Sequence, residues 1–447
     1  MRTNDRIPAL DELGSSPPAL RTLPPGPESR ALAARLGRLE SPAFGTRRQA
    51  RAADGDPAPI VYAGGRGSNV VDVDGNVYVD LSAGFGALAL GHNPRPVRHA
   101  LDAQADVLWQ ALGDLHSANV KVTLLEKLAA IHPDPKARVL LGQSGSDAVT
   151  AALKTAALTT GKPGVLAFEG AYHGLGYGPL SALGLAPGWR EPFAEQLNRH
   201  VHFVPYPGSP AEAAACLDRA RAILERNDIG AILIEPILGR GGVVVPPPGF
   251  LRELSSLAKN ASALLVVDEI WTGLGRSGSW LYSLDAGVTP DLVCLGKSLG
   301  GGLPISACIG SDEAMQGWRR EPSKLVVHTA TFHGAPLACA TAIATLDVLR
   351  EERLAERAAA VGARFSAKLA KVKGVAEVRG RGLMIGLRFE APFSALVLWR
   401  ELLERGYVTT LGGRASEVLV LTPALTIDEG LLDAFVHELA STLEASA

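Results

Sequence analysis

Lysine is scarce in this chain, and one lysine stands where an amine can do chemistry. The 447 residues include 11 lysines against 33 arginines. Lys297 follows a short apolar run, Leu292-Val293-Cys294-Leu295, and opens into Ser298-Leu299-Gly300-Gly301-Gly302-Leu303-Pro304. An amine delivered by a buried strand into a glycine turn is desolvated, which lowers its pKa and makes it a Schiff-base nucleophile. Gly296-Lys297-Ser298 imitates the tail of a P-loop, but that motif needs glycine at 291, where Asp291 stands. The ordinary alternative is a surface lysine in a flexible loop. The apolar residues on both sides of the turn weigh against it.

Three further segments carry polar groups at the ends of apolar runs. Leu264-Leu265-Val266-Val267 leads directly into Asp268-Glu269, 29 positions before the lysine. Ligands bind at that end of a parallel strand, and a buried aspartate there needs a cationic or hydrogen-bonding partner. Gly142-Gln143-Ser144-Gly145-Ser146-Asp147 lies between a strand and a long helix. Small residues there let a ligand approach the backbone, and a helix start favours an anion, typically phosphate. An N-cap by Ser144 or Ser146 is the plainer reading of the same residues. Thr331, in His328-Thr329-Ala330-Thr331-Phe332, offers one more hydroxyl to an anion. Together the four segments imply an aldehyde cofactor with a phosphate and a ring nitrogen needing an acid partner, which describes pyridoxal 5′-phosphate (PLP).

Positioning these groups takes a layered α/β frame. Ala231–Ile234 and Ala263–Val267 are apolar throughout, as parallel strands buried on both faces must be. Strand-length runs at Val139–Leu141, Val165–Phe168, His202–Val204, Leu292–Leu295 and Ser306–Ile309 alternate with helical stretches at 97–112, 120–131, 147–159, 210–226 and 250–259. The pattern predicts a doubly wound α/β domain with a mixed sheet over 96–336. After Pro336 the spacing predicts one long helix to about Leu369, then short strands and helices to the C-terminus. Residues 337–447 are expected to form a smaller α+β domain together with the N-terminal segment 61–95, where Asp72-Val73-Asp74-Gly75 marks a hairpin. Residues 1–60, rich in Pro, Gly and Ser, read as an irregular arm with one helix near 29–39.

Composition removes other classes. With 44 basic and 46 acidic side chains the net charge is −2, without the basic excess that nucleic acid or an anionic membrane requires. No run approaches the ~18 apolar residues of a membrane span, and the first residues lack a signal-peptide core. Cys216, Cys294, Cys308 and Cys339 show no metal-ligand spacing, which suits buried thiols in a cytoplasmic protein.

From about Val71 onward the chain resembles the class III (omega-type) aminotransferases of PLP fold type I. The likeness is carried by Asp72-Val73-Asp74-Gly75, Gly91-His92-Asn93-Pro94, Ser144-Gly145-Ser146-Asp147-Ala148, Tyr172-His173-Gly174, Glu235-Pro236, Asp268-Glu269-Ile270, Gly273-Leu274-Gly275-Arg276-Ser277-Gly278, Gly296-Lys297 and Thr331-Phe332. The resemblance implies that Lys297 forms the Schiff base and shuttles the proton, and that Asp268 pairs with the pyridine nitrogen. It implies that Tyr172, with His173 beside it, and Ile270 flank the ring. Ser144, Gly145 and Ser146 fall at the phosphate, completed by Thr331 from the neighbouring subunit of a homodimer. The implied reaction is ping-pong transfer of an amino group from a small-molecule donor to an oxo acceptor.

Three departures from the family pattern bear on the substrate. The late Arg-x-x-Pro-Pro-Leu-like segment of members that use 2-oxoglutarate is Val420-Leu421-Thr422-Pro423-Ala424-Leu425 here, with no arginine. The glutamate that pairs with that arginine in several members is Arg240, so both charges are absent together and neither is left buried alone. Trp271 replaces a glutamine that faces the cofactor ring, and an indole donates one hydrogen bond but cannot copy an amide. Arg240, or Arg414 in Leu411-Gly412-Gly413-Arg414, is therefore expected to bind a substrate carboxylate, with Phe85 and Trp271 as an apolar wall. An amine or non-α-amino acid donor and pyruvate or another small oxo acid follow as expectations. A racemase, epimerase or aminomutase of the same fold, a PLP-binding regulator and a P-loop nucleotidase are the rivals.

Overall fold

The computed structural model describes residues 8–52, 55–320 and 325–445. A first small sheet begins with β1 (Tyr62–Arg66), β2 (Asn69–Asp72) and β3 (Val77–Asp80), joined antiparallel in sequence. The Asp-Gly turn between β2 and β3 is tied by Asp72, whose Oδ2 accepts from the Tyr78 hydroxyl at 2.6 Å and from Asn76 at 2.8 Å. Asp74 accepts from the N–H groups of Glu28 and Ser29, capping the helix Pro27–Leu39 and docking the N-terminal arm. These acids of the sequence motif are structural.

The large sheet contains β4 (Arg138–Gly142), β5 (Gly164–Phe168), β6 (Val201–Val204), β7 (Ile229–Ile234), β8 (Leu264–Asp268), β9 (Leu292–Leu295) and β10 (Ser306–Gly310). Their order is β4-β10-β9-β8-β7-β5-β6, with β10 alone antiparallel to its neighbours. The central strands β7, β8 and β9 are buried at every residue but the first of β8. Their alternate side chains feed two cores: Ile232, Ile234, Leu265 and Val267 pack under the helices Pro210–Leu224 and Phe250–Asn260. Ala231, Leu233, Val266 and Leu292 pack against the helix Gly145–Thr160. Burial on both faces is why these strands lack polar alternation.

The C-terminal part adds β11 (Val375–Arg381), β12 (Met384–Phe389), β13 (Tyr407–Val408), β14 (Thr410–Gly412) and β15 (Val418–Leu421). Strand β13 pairs parallel with β3, so the end of the chain completes the first sheet. The remaining strands form a sheet in the order β11-β12-β15-β14. All four cysteines are buried and unpaired.

Three expectations are corrected. The arm holds a second helix, Pro42–Ala52, which the reading of 1–60 as irregular beyond one helix missed. That helix is arginine-rich and has little apolar stripe to reveal it. The stretch 336–369 is two helices, Pro336–Glu351 and Leu354–Leu369, broken at Arg353 with φ +50°. A left-handed turn without Gly or Asn leaves no sequence marker. The helix expected over 97–112 is Arg95–Ala105, and Leu112 instead bridges to His116.

Candidate active site

Sheet register brings the two leading residues together. Asp268 ends β8 opposite Cys294 of β9, and Lys297 lies three residues beyond Cys294, so both fall at the carboxyl edge of neighbouring parallel strands. The Lys297 backbone is left-handed, with φ +39°. The Ser298 hydroxyl pins the turn by donating to the Gly86 carbonyl at 3.0 Å. Strain of this kind in a non-glycine residue persists only where the surroundings enforce it. Burial pushes the Lys297 ammonium down to about 8, against the opposing attraction of Asp268 and Glu235, with the guanidiniums of Arg240 and Arg276 lowering it further. Asp291, which excludes a P-loop, accepts from the Leu265 N–H at 2.7 Å and closes the far end of the strand pair.

Asp268 is held on two sides. Its Oδ2 lies 2.7 Å from His173 Nδ1, and its Oδ1 accepts from the Ile270 N–H at 3.1 Å. The His173 and Asp268 side chains are 0% and 4% exposed. With the carboxylate accepting, the imidazole is assigned as the Nδ1–H tautomer, and its buried Nε2 has no partner among the described residues.

The Ile270 side chain wedges between the two glycine turns. A Cβ on Gly145 would meet its Cδ1 at 2.7 Å, and one on Gly296 would meet its Cγ2 at 3.4 Å. Ser144 and Asp147 form a reciprocal capping box, so the Ser144 side chain serves the helix start. The N–H groups of Gly145 and Ser146 occupy the first helical positions, where no intrahelical acceptor exists. The Ser146 hydroxyl accepts from Gly176 N–H at 3.1 Å. Thr331 is exposed, its carbonyl accepting from Gln110 at 2.7 Å. No hydrogen bond links its hydroxyl to Gly145 or Ser146 among the described residues.

Trp271 lies beside the lysine, with Lys297 Nζ 4.6 Å from its ring centroid. Its buried Nε1 has no partner among the described residues. Gly86 and Gly239 make room for the indole: a Cβ on Gly86 would meet Nε1 at 2.5 Å, and one on Gly239 would collide with the benzo ring. Phe85, 59% exposed with φ +60°, adjoins Gly86. Arg240 stacks on Tyr172 at 4.4 Å and lies 5.6 Å from the Trp189 ring centroid. Arg414 is instead ion-paired with Glu169 at 3.0 Å, both side chains exposed.

Glu235 belonged to a quoted motif but carried no assigned role. Its buried carboxylate accepts from the N–H of Tyr172 at 2.7 Å and of Gly239 at 2.9 Å. It thus fixes the segments bearing Tyr172 and Arg240. Burial pushes its pKa up, opposed mainly by His173. The Glu-Pro pair at the end of an apolar strand was the available signal. Trp189 had none.

A desolvated amine, a buried carboxylate and an open helix start at one sheet edge define an enzyme of PLP fold type I. The unpartnered buried His173 and Trp271 nitrogens, beside the Asp268 carboxylate and the Lys297 amine, fit a polar aromatic cofactor. The chain belongs to the class-III aminotransferases, whose family model matches residues 50–443, and it is a PLP-dependent aminotransferase. An acetylornithine aminotransferase of Methanosarcina acetivorans is 36% identical over 383 residues, covering 85% of this chain and 91% of that one. A diaminobutyrate–2-oxoglutarate aminotransferase of Rhizobium meliloti is 32% identical over 431 residues, covering 86% and 88%. Among solved structures, a PLP-bound amine transaminase from an uncultivated Pseudomonas species superposes with a TM-score of 0.80 at 30% identity, covering 88% of this chain and 96% of that one. An (S)-enantioselective omega-transaminase from Thermomicrobium roseum gives 0.83 at 27% identity, covering 93% and 98%.

Proposed function

We propose that Lys297 is the amine that attaches PLP and carries the proton, with Asp268 as partner of the cofactor's ring nitrogen. The donor is an amine or non-α-amino acid, and the acceptor a small oxo acid. The supporting observation is the placement of the desolvated Lys297 amine and the His173-bound Asp268 carboxylate on adjacent strand ends. When bound, PLP supplies an electron sink for the carbon that carries the amino group. Lys297 Nζ, neutral for much of the time near pH 8, would move a proton between that carbon and the cofactor, which is the net shift that transfer of the amino group requires. Asp268 keeps its charge facing the ring nitrogen while His173 fixes its orientation. Gly145 and Ser146 direct backbone N–H groups to the phosphate. Tyr172 and Ile270 close the two sides of the ring, and Phe85 and Trp271 form the apolar wall of the substrate pocket.

The working unit is a homodimer in the cytoplasm, in which Thr331 reaches the other subunit's phosphate site. Trp109, Leu115 and Phe332 are 68%, 73% and 57% exposed, and Gln110 ties the segment of Trp109 to that of Thr331. A second copy of the chain would cover such a patch. The same reading divides the chain into an arm (1–60), a large domain (96–336) and a small domain built from 61–95 and 337–447.

A panel of donors and acceptors, followed by the cofactor's spectral change in each half-reaction, tests the assignment. Transfer from an amine to a small oxo acid is expected. Proton exchange at the substrate carbon without transfer overturns it.

The lowered pKa gives a second expected result. For an amine with a pKa near 8, about a quarter is neutral at pH 7.5, against roughly one part in a thousand for an ordinary lysine. The rate at which the cofactor-free protein captures PLP should therefore rise with pH through an inflection near 8. An inflection near 10.5 would show that the amine is solvated.

Arg240→Ala should lower kcat/KM for carboxylate-bearing substrates about tenfold more than for simple amines of equal length, the worth of one charge-assisted contact. Because Arg240 also stacks on Tyr172, a purely structural role would depress both classes equally. Parallel kinetics on matched substrates separate the two.

A further inference from the structure

Lys297 Nζ lies over the Trp271 ring, 4.6 Å from its centroid. Both ends of that contact are anchored. The lysine backbone is held in its left-handed turn, with φ +39°, and the Ser298 hydroxyl ties the turn to the Gly86 carbonyl at 3.0 Å. The indole is 8% exposed and packs in a small core with Ile237, Val243, Met384, Val418 and Val420. Backbone lines two of its edges: a Cβ on Gly86 would meet Nε1 at 2.5 Å, and one on Gly239 would collide with the benzo ring. Gly239 is itself held, its N–H donating to Glu235 at 2.9 Å. A lysine side chain is a flexible stem, so a fixed turn alone does not fix the amine.

Among the described residues, no hydrogen bond or ion pair reaches Lys297 Nζ. The charges that act on it do so from further away: Asp268 and Glu235 favour the ammonium, and Arg240 and Arg276 oppose it. Asp268 is engaged by His173 and the Ile270 N–H, and Glu235 by the N–H groups of Tyr172 and Gly239. Arg276 donates to the carbonyls of Leu383 and Pro423. The near partner of the ammonium is therefore the negative face of the indole. That face is the best of the aromatic faces for a cation, and it is worth more where water is excluded.

We propose that Trp271 is a positioning residue for Lys297: its indole face is the resting place of the free amine, holding it at the sheet edge whenever no covalent bond does. The proposal rests on the reading of Lys297 as the reacting amine, and it gives Trp271 a part beyond that of a pocket wall. Two consequences follow from the contact. A flexible amine that is held over one rigid ring stays close to the group it must attack, which speeds the attack. The ring also favours the ammonium over the neutral amine, so it opposes the downward pull of burial on the lysine.

The test uses the full chain freed of PLP. Trp271→Leu and Trp271→Met keep an apolar filler and remove the ring, while Trp271→Phe keeps an aromatic face and removes the N–H. The pH at which Lys297 becomes reactive is read from its rate of modification by acetic anhydride, quantified on the peptide that contains it. It is read again from the rate of PLP capture. In the two ring-free variants both inflections should move down by about half a unit to one unit, because the ammonium loses the ring. Trp271→Phe should retain most of the wild-type value. Above the inflection, PLP capture by the ring-free variants should be slower by roughly threefold or more, since the amine is no longer held in place. Packing damage that only admits water moves the inflection the other way, because solvation relieves the penalty on the charge. An unmoved or raised inflection in whichever ring-free variant folds therefore overturns the proposal. Attachment of PLP to a different lysine, found by borohydride reduction and peptide mapping, overturns the functional reading instead, and the modification profile of Lys297 still decides the contact with Trp271.

Discussion

Lys297→Ala should lower transamination by on the order of 10⁴-fold or more, because in the proposed assignment it removes both the covalent tether and the proton carrier. The protein reconstituted with PLP should also lose the long-wavelength absorbance of the lysine-bound cofactor. The fold gives no reason for the variant to collapse. Lys297 holds a buried amine whose pKa is pushed down to about 8 by desolvation, so burying its charge costs stability. The sign follows from linkage: the unfolded chain binds the proton more tightly than the folded one between about pH 8 and the ordinary lysine value. Wild-type cofactor-free protein should therefore gain stability relative to Lys297→Ala as pH rises through that window, by on the order of a few kcal/mol. Above the window the difference should be flat. Turnover by the variant should be partly rescued by a small primary amine, which can enter the space beside Trp271. A variant that keeps both absorbance and turnover would remove Lys297 from the centre of the reaction.

The sequence made this pair readable because its chemistry is tied to local pattern. An apolar strand followed by a carboxylate, and a second apolar strand followed by a lysine in a glycine turn, place the groups before any contact is known. Register of β8 on β9 then turns 29 positions of sequence into adjacency. Ile270, two positions after the aspartate, was reached only through the family resemblance, and its place between two glycine turns is a matter of tertiary packing. Arg414 was less so: a mouth-side arginine in a loop can turn to substrate or to a surface acid, and here Glu169 holds it. Glu235 was visible as a motif but not as a brace, because its bonds run to backbone groups of residues 172 and 239. The arm helix was the largest omission. Its three arginines, one glycine and few apolar residues give residues 42–52 little stripe to mark a helix, which forms only in the context of the docked arm. The break at Arg353 is the same lesson at backbone level, where packing enforces a conformation that local propensity does not favour.

Asp268→Asn should cost about 10²–10⁴-fold in turnover, and the reason is in its two hydrogen bonds. The carboxylate accepts from His173 Nδ1–H with one oxygen and from the Ile270 N–H with the other. An amide has only one accepting oxygen. Whichever way it is turned, its NH₂ faces an N–H donor unless the His173 proton moves to Nε2, a buried atom that has no partner among the described residues. The substitution therefore removes the charge proposed to face the ring nitrogen and disturbs its bond to His173. Its effect should reach Lys297 as well. The Asp268 charge is the largest of the influences that raise the lysine's pKa against desolvation. With that charge gone, desolvation is less opposed, and the inflection for PLP capture by the cofactor-free variant should move below 8. A merely structural role for Asp268 predicts lower stability with the inflection unmoved. Turnover within tenfold of wild type, with the inflection still near 8, would mean that the carboxylate neither faces the cofactor nor supports the lysine. The pH profile thus separates an aspartate that acts on the reacting groups from one that only holds a histidine in place.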